Sequence, residues 1–411
     1  MAREKALKWA SYLCFIVGFL LPLVSSGAVG MSLYKRPLIP WLNAVLWAAG
    51  LIFGYSANTI EKKFSATTPL WVKLASFLTS QPANIVFLGL LWGYIYFPTM
   101  QNNFITNHVT VPLMLSLFVC GVQISKDHWV GIVKQPKFVF LSVLVRWVAP
   151  LFCAYVLGHF VLAKFLPQPA GNMLAIGMII LATTPTGPAG NTMAMIARGD
   201  LALSVSATAV NNIIAPFLQP FLIALFAGAF SGKVNTHAIF LELIEMVLAP
   251  VIIGSIVGSL YPQWAKRYRM GFGGIAVVCL ALIMLSNISK GAGALLKDLW
   301  ILPWMVGACA VQAVFVLYAG YLVPKYMGFN MRQRAATTFD VAVENASLAT
   351  VIGLAHFGPL AALPAIFYGK LQHVFGIGIF VRKFQNMPEL ADEAAVPVAA
   401  KPAAKAAMAT D

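Results

Sequence analysis

The chain reads as an all-α polytopic membrane protein: a ten-helix core built as two inverted five-helix repeats with two crossing broken helices, preceded by two extra N-terminal helices. Three observations predict this. Hydrophobic residues fill 60% of the 411 positions and charged residues only 10%, with a mean hydropathy of +0.81, whereas soluble domains carry roughly 25% charged residues. The apolar residues fall into runs of about 20, the length that crosses hydrocarbon as a helix. Two of these runs, five helices apart, are interrupted in the middle by Pro, Gly and polar side chains.

In chain order the runs lie near 9–30, 37–57, 81–99, 109–125, 138–163, 171–198, 201–229, 237–261, 271–289, 300–324, 335–355 and 359–381. Residues 1–30 have the basic start and small residues of a secretory signal, but the apolar run is as long as a full span, which favours an uncleaved helix. Residues 1–57 therefore form a helix pair. Residues 68–80 (PLWVKLASFLTSQ) are too short to span and carry Lys73, so 58–80 reads as an interfacial linker. Residues 81–385 form the ten-helix domain. The Ala/Pro-rich end, 386–411, reads as a disordered tail.

Loop charge orients the map, since cytoplasmic loops collect Lys and Arg. Of the 28 basic residues, only Lys35, Arg36, Lys164, Lys233, Lys290 and Lys297 fall on one side; Arg146 and Lys370 lie inside spans, and the rest face the other side. Both termini are thereby predicted cytoplasmic, in a multi-pass plasma-membrane protein such as one of a bacterial inner membrane. The +15 net charge follows loop topology and matches anionic lipid, not nucleic acid. The five cysteines lie in predicted helices without paired spacing and read as small buried residues.

The first interrupted run contains PTGPAGN, residues 185–191. Pro185 and Pro188 lack N–H groups, and Gly187 and Gly190 allow dihedrals that a helix does not use. Inside hydrocarbon such backbone survives only where protein or a watery cavity surrounds it, and the freed carbonyls and helix ends suit an ion or a polar ligand. A packing kink is the structural alternative. After the turn ARGD, Ser204, Thr208 and Asn211 recur on one helix face, with oxygens suited to a hard cation or to hydrogen bonds between helices.

The second interrupted run, TTFDVAVENASLATVIGLAHFGPLAALP (337–364), places Asp340 and Glu344 one turn apart near mid-membrane. Two carboxylates there need a cation, a proton or a basic partner, and Arg146 and Lys370 are the candidate partners. Glu242 and Glu245 fall nearer the outer edge and read as interfacial. The two breaks sit in the fourth and ninth helices counted from residue 81. Five helices per unit turn the second unit upside down, the pattern of inverted-repeat transporters.

At these residues the chain resembles the bile acid:sodium symporter family, over roughly 81–385, through LSLFVCGVQIS, PTGPAGNTMAMIARGDLALSVSATAV, FDVAVENASLATVIGLAHF and AALPAIFYGKLQHVFG. The resemblance implies a ten-helix fold with panel and core domains and sodium-driven uptake of an organic anion such as a bile-acid-like carboxylate or sulfonate. It implies a first sodium site at Asn191, Ser204, Thr208 and Asp340. A second would use Asp340, Glu344, the backbone at Val341 and Val343, and a third-helix side chain. Asn345 would contact substrate.

Several positions depart from the pattern. Asp340 stands for the usual glutamate, Gly190 for a ligating serine, Arg146 for the third-helix glutamine and Glu344 for a glutamine. The last two are complementary in charge, so the Arg146 guanidinium is expected to fill the second sodium's place and pair with Glu344, leaving one sodium or a proton to drive transport. Lys370 and His373 also differ, and point either to attraction of a substrate carboxylate or to pairing of Lys370 with Asp340. A proton-coupled carrier or exporter, with Asp340 and Glu344 as relay, is the alternative. No enzyme is expected: neither G-x-S-x-G nor H-E-x-x-H occurs. A receptor role would leave the paired breaks without a purpose.

Overall fold

The computed structural model describes residues 110–390, with interruptions at 123, 125–135, 188, 232–234, 269–270, 273, 277, 280–281 and 284–299, and a few isolated earlier positions. The expected helices 9–30, 37–57 and 81–99, the linker around 68–80 and the tail beyond 390 lie outside the described residues, as does Pro188. Among the described residues every element is helical, apart from one isolated bridge between Thr186 and Glu344.

Helix α1 covers Thr110–Val122, α2 Pro136–Phe165, α3 Ala170–Ala182, α4 Ala189–Ile196, α5 Leu201–Phe230, α6 Thr236–Leu260, α7 Ile301–Tyr326, α8 Met331–Ala342, α9 Ala346–His356 and α10 Pro359–Phe375. Four of them, α2, α5, α6 and α7, are long and apolar enough to cross a membrane. They coincide with the runs at 138–163, 201–229, 237–261 and 300–324. The runs at 171–198 and 335–355 are each two short helices, because Pro185 has no N–H to continue α3 and α8 ends where Val343 leaves the helical region.

Close helix contacts are set by small residues, the usual device where lipid removes the hydrophobic drive between helices. Helix α1 lies so near α6 that a Cβ at Gly254 would sit 2.1 Å from the Phe118 carbonyl oxygen and one at Gly258 2.2 Å from that of Val122. In the same way α3 meets α10 at Gly177, where a Cβ would approach the Ala361 carbonyl oxygen to 2.3 Å. Around the two broken pairs, α8 packs on α2, α4, α5 and α7, while α10 packs on α3, α7 and α9.

The ARGD turn is as tight as expected. Arg198 takes left-handed backbone (φ 60°), the Asp200 carboxylate accepts from the Leu203 amide at 3.0 Å to cap α5, and the Asp200 amide donates to the Arg332 carbonyl at the start of α8. Residues 388–390, at the start of the expected tail, are ordered. Pro388–Leu390 form a 3₁₀ turn, Leu390 is buried, and the Arg198 guanidinium donates to its carbonyl at 3.5 Å.

Candidate cation and substrate site

The two breaks meet as extended backbone. The Gly187 amide donates to the Val343 carbonyl at 2.8 Å and the Asn345 amide to the Pro185 carbonyl at 3.0 Å. These are the partners that buried irregular backbone requires. Gly187 permits the approach, since a Cβ there would lie 3.0 Å from the Glu344 carbonyl oxygen. From α10, Gln372 brackets Glu344: its Oε1 accepts from the Glu344 amide at 2.9 Å, and its Nε2 donates to the Glu344 carbonyl at 3.2 Å. The Tyr368 hydroxyl donates to the Ala342 carbonyl at 2.9 Å. Asn345 caps α9 through Oδ1, which accepts from the Leu348 amide, while its buried Nδ2 has no partner among the described residues.

Asp340 is fully buried in the last turn of α8. Its Oδ2 accepts from the Ser142 hydroxyl at 3.0 Å and from Asn211 Nδ2 at 3.4 Å; its Oδ1 faces the Thr186 hydroxyl at 2.9 Å and the Thr208 hydroxyl at 3.4 Å. Asn211 is held in turn by Trp147 Nε1, at 2.9 Å from its Oδ1. Asn191 Oδ1 faces the hydroxyls of Ser204 at 2.8 Å and Thr208 at 3.1 Å. The single Thr208 proton thus has three oxygens in reach, the third being the Ser204 carbonyl at 2.9 Å. Oxygen lone pairs outnumber protons in this cluster, and such a donor set suits a hard cation.

Asn191, Ser204, Thr208 and Asp340, drawn together by the resemblance, are therefore neighbours. Gly190, where a serine is expected, is closely packed: a Cβ would lie 3.1 Å from both the Phe339 carbonyl oxygen and Thr186 Cγ2. Val341 and Val343 are buried at the end of α8, and the Val343 carbonyl already serves Gly187.

Arg146 does not form the expected pair with Glu344. Its Nη1 donates to the Ala182 carbonyl at 3.3 Å and its Nη2 to the Thr184 carbonyl, so the freed end of α3 captures the guanidinium. The Glu344 carboxylate instead accepts from Gln312 Nε2, at 3.1 and 3.4 Å. The Asp340 carboxylate is met by the neutral donors Ser142, Thr186, Thr208 and Asn211. Lys370 lies two residues from both Tyr368 and Gln372, hence on another face of α10 from the crossing. His373 Nδ1 lies 2.8 Å from the Gly369 carbonyl oxygen, a main-chain contact within α10.

Ser142, Thr186, Gln312, Tyr368 and Gln372 escaped the sequence reading. Ser142 is one turn from Arg146, and Tyr368 is one turn from Gln372, so a search for polar pairs at helical spacing would have found Ser142, Tyr368 and Gln372. Gln312, alone in an apolar helix, carried a weaker signal. An apolar groove of about 360 Å³ lies between α5 and α6, lined by Ala209, Ile213, Val251 and Ser255 among others.

The model of the Sodium Bile acid symporter family matches residues 110–298. A Bacillus subtilis protein named an uncharacterized sodium-dependent transporter is 26% identical, covering 68% of this chain and 84% of the relative. A chloroplastic probable sodium/metabolite cotransporter of Arabidopsis thaliana is 27% identical over 79% of this chain and 78% of its own length. The human hepatic sodium/bile acid cotransporter is 24% identical over 65% of this chain and 74% of its own.

Proposed function

We propose that the chain is a member of the sodium bile acid symporter family, whose model it matches over residues 110–298, and that it is a secondary transporter that takes up a small organic anion by alternating access, driven by sodium. It is an integral membrane transporter, not an enzyme.

The observation that carries the sodium reading is the oxygen cluster on Asn191, Ser204, Thr208 and Asp340, which has one carboxylate and more acceptors than protons. A sodium ion there would take the lone pairs that the hydroxyl protons cannot all serve. Thr186 touches both Asp340 and the Asn211 amide, so a cation at Asp340 would act directly on the first break, and through it on Gly187 and Val343. In this reading the two breaks belong to inverted five-helix repeats, and the termini face the cytoplasm. The substrate's apolar body lies along the α5–α6 groove, and the unpartnered Asn345 Nδ2 faces its polar group.

The test is uptake of a panel of carboxylates and sulfonates into proteoliposomes under a sodium gradient. Sodium-driven uptake whose sodium affinity Asp340→Asn lowers by about tenfold or more supports the reading. Uptake driven equally well by a proton gradient without sodium replaces it with the proton-coupled alternative, in which Asp340 and Glu344 carry the proton.

A further inference from the structure

Tyr321, near the end of α7, carries two cations on one ring. The Lys383 ammonium lies 4.1 Å and the Arg334 guanidinium 4.2 Å from the ring centroid. Arg334 stands in the first turn of α8 and is only 7% exposed. Its Nε donates to the Tyr321 carbonyl at 3.1 Å, which leaves both Nη groups without a partner among the described residues. Lys383 belongs to the helical extension beyond α10, Gly376–Val381 followed by Arg382–Gln385. It also lies 5.6 Å from the Phe380 ring and 6.0 Å from that of Tyr318. Cation–π attraction fixes both charges in place but does not neutralise them, and like charges sharing one ring repel. Among the described residues neither has a carboxylate partner.

The surroundings say which anion fits between them. Next to the pair, α7 turns Phe315, Tyr318 and Leu322 outward, with Tyr318 45% and Leu322 44% exposed, and Ile379 of the extension is 48% exposed. This apolar stripe begins at a basic rim, where Lys325 and Arg382 are also exposed, and runs back along the span of α7. A free anion would use the two charges alone. A molecule with a charged head and apolar tails uses the charges and the stripe together. A phosphate diester accepts well from an arginine fork and a lysine ammonium. In the orientation proposed above the rim faces the cytoplasm, the side on which the leaflet carries anionic lipid.

We propose that Arg334 and Lys383, set on the Tyr321 ring, bind the phosphate headgroup of an anionic glycerophospholipid whose acyl chains lie along the outward face of α7. The basic residues of the loops are spread around the rim, whereas these two are held by rings in a fixed geometry. The site reaches the crossing through α8: the Arg334 carbonyl accepts from the Thr338 hydroxyl at 2.7 Å, two residues before Asp340. A bound headgroup thus steadies the helix that carries the buried carboxylate. The site stands whether sodium or a proton drives the carrier.

Native mass spectrometry of the full-length protein tests this, after delipidation in detergent and titration with dioleoyl phosphatidylglycerol or dioleoyl phosphatidylcholine. The dissociation constant of the first lipid bound is read. The wild type is expected to bind phosphatidylglycerol about tenfold more tightly, or better, than phosphatidylcholine. Lys383→Gln is expected to weaken phosphatidylglycerol about fivefold, the loss of one basic contact, and Lys383→Arg to restore it. Arg382→Gln removes an exposed neighbouring charge and is expected to change binding less than about twofold. Equal affinity of the wild type for the two lipids would overturn the proposal whether or not the variants fold. Equal losses from Lys383→Gln and Arg382→Gln would overturn it by showing diffuse charge instead of a site. Displacement of phosphatidylglycerol from the wild type by millimolar inorganic phosphate would overturn it in favour of a free anion.

Discussion

In the break between α3 and α4, residues 183–187, no side chain is charged. What that stretch brings to the crossing is backbone, two carbonyls for Arg146 and the Thr186 hydroxyl. In the break between α8 and α9 the backbone is just as extended, but Asp340 and Glu344 flank Val343 on either side. The difference teaches a division of labour. A neutral break holds the Arg146 guanidinium through main-chain oxygens, and in the sodium-coupled reading proposed above the charged break is the one that takes the ion. Because each break supplies what the other lacks, neither is stable without the other in hydrocarbon, where irregular backbone and buried charge are both strongly disfavoured.

The sharpest way to break this division is to neutralise the charged side alone. Asp340→Asn keeps the shape and removes the carboxylate, with the loss of a charge-assisted interaction worth about 1.5–3 kcal/mol, or roughly 10- to 150-fold in sodium affinity. Sodium titration of uptake measures it. Thr186→Val on the neutral side removes one hydroxyl and is expected to weaken sodium less than tenfold. An equal loss from both would mean that the two breaks share the ion and the division fails.

Gln312→Leu tests the charged side from outside the break. It removes the hydrogen-bond donor of the buried Glu344 carboxylate, and an unsatisfied buried acceptor costs about 1–3 kcal/mol. Thermal unfolding in detergent should report that loss, and Glu344→Gln combined with Gln312→Leu should recover part of it. A Gln312→Leu protein as stable as the wild type would show that another group takes over Glu344.

Gly187→Ala probes the neutral side. Its new methyl group would lie 3.0 Å from the Glu344 carbonyl oxygen, so the bridge must open by a few tenths of an ångström. We expect about 1 kcal/mol of destabilisation, the lower end for overpacking, seen as a lower unfolding temperature with sodium affinity changed less than by Asp340→Asn. A stabilised variant would show that the bridge has room and that the glycine serves another purpose.

How much of this was legible follows the same division. PTGPAGN announced its break because Pro and Gly act on their own backbone, and the ARGD turn and the apolar runs of α2, α5, α6 and α7 are equally local signals. Asp340 and Glu344 stood out because a carboxylate in an apolar run is conspicuous by itself. What stayed hidden were the pairings. Charge complementarity suggested Arg146 with Glu344, but the free end of α3 offered the guanidinium carbonyls already stripped of their amides, and Gln312 took the carboxylate. Which of two acceptors an arginine meets depends on where α2 crosses α3, and no spacing within α2 encodes that. The same reason hid Gln372, whose partner is the backbone of Glu344 in the break between α8 and α9.

The mildest prediction concerns the His–Glu contact at the rim, where the comparison is between a buried carboxylate and a partly exposed one. His356, at the end of α9, meets Glu242 of α6 at 2.5 Å, with side chains 19% and 16% exposed. Glu242 is thus engaged across helices, where its sequence position suggested only an interfacial residue. Exposed pairs of this kind contribute about 0.2–1 kcal/mol, and salt screens them. Glu242→Gln is therefore expected to lower the unfolding free energy by less than about 1 kcal/mol, with the difference from wild type shrinking as sodium chloride is replaced by higher concentrations of choline chloride, which leaves the Asp340 site out of the comparison. A loss from Glu242→Gln as large as that from Gln312→Leu, and unchanged by salt, would place the rim pair in the same low-dielectric setting as the crossing. Partial exposure would then not separate the two regions.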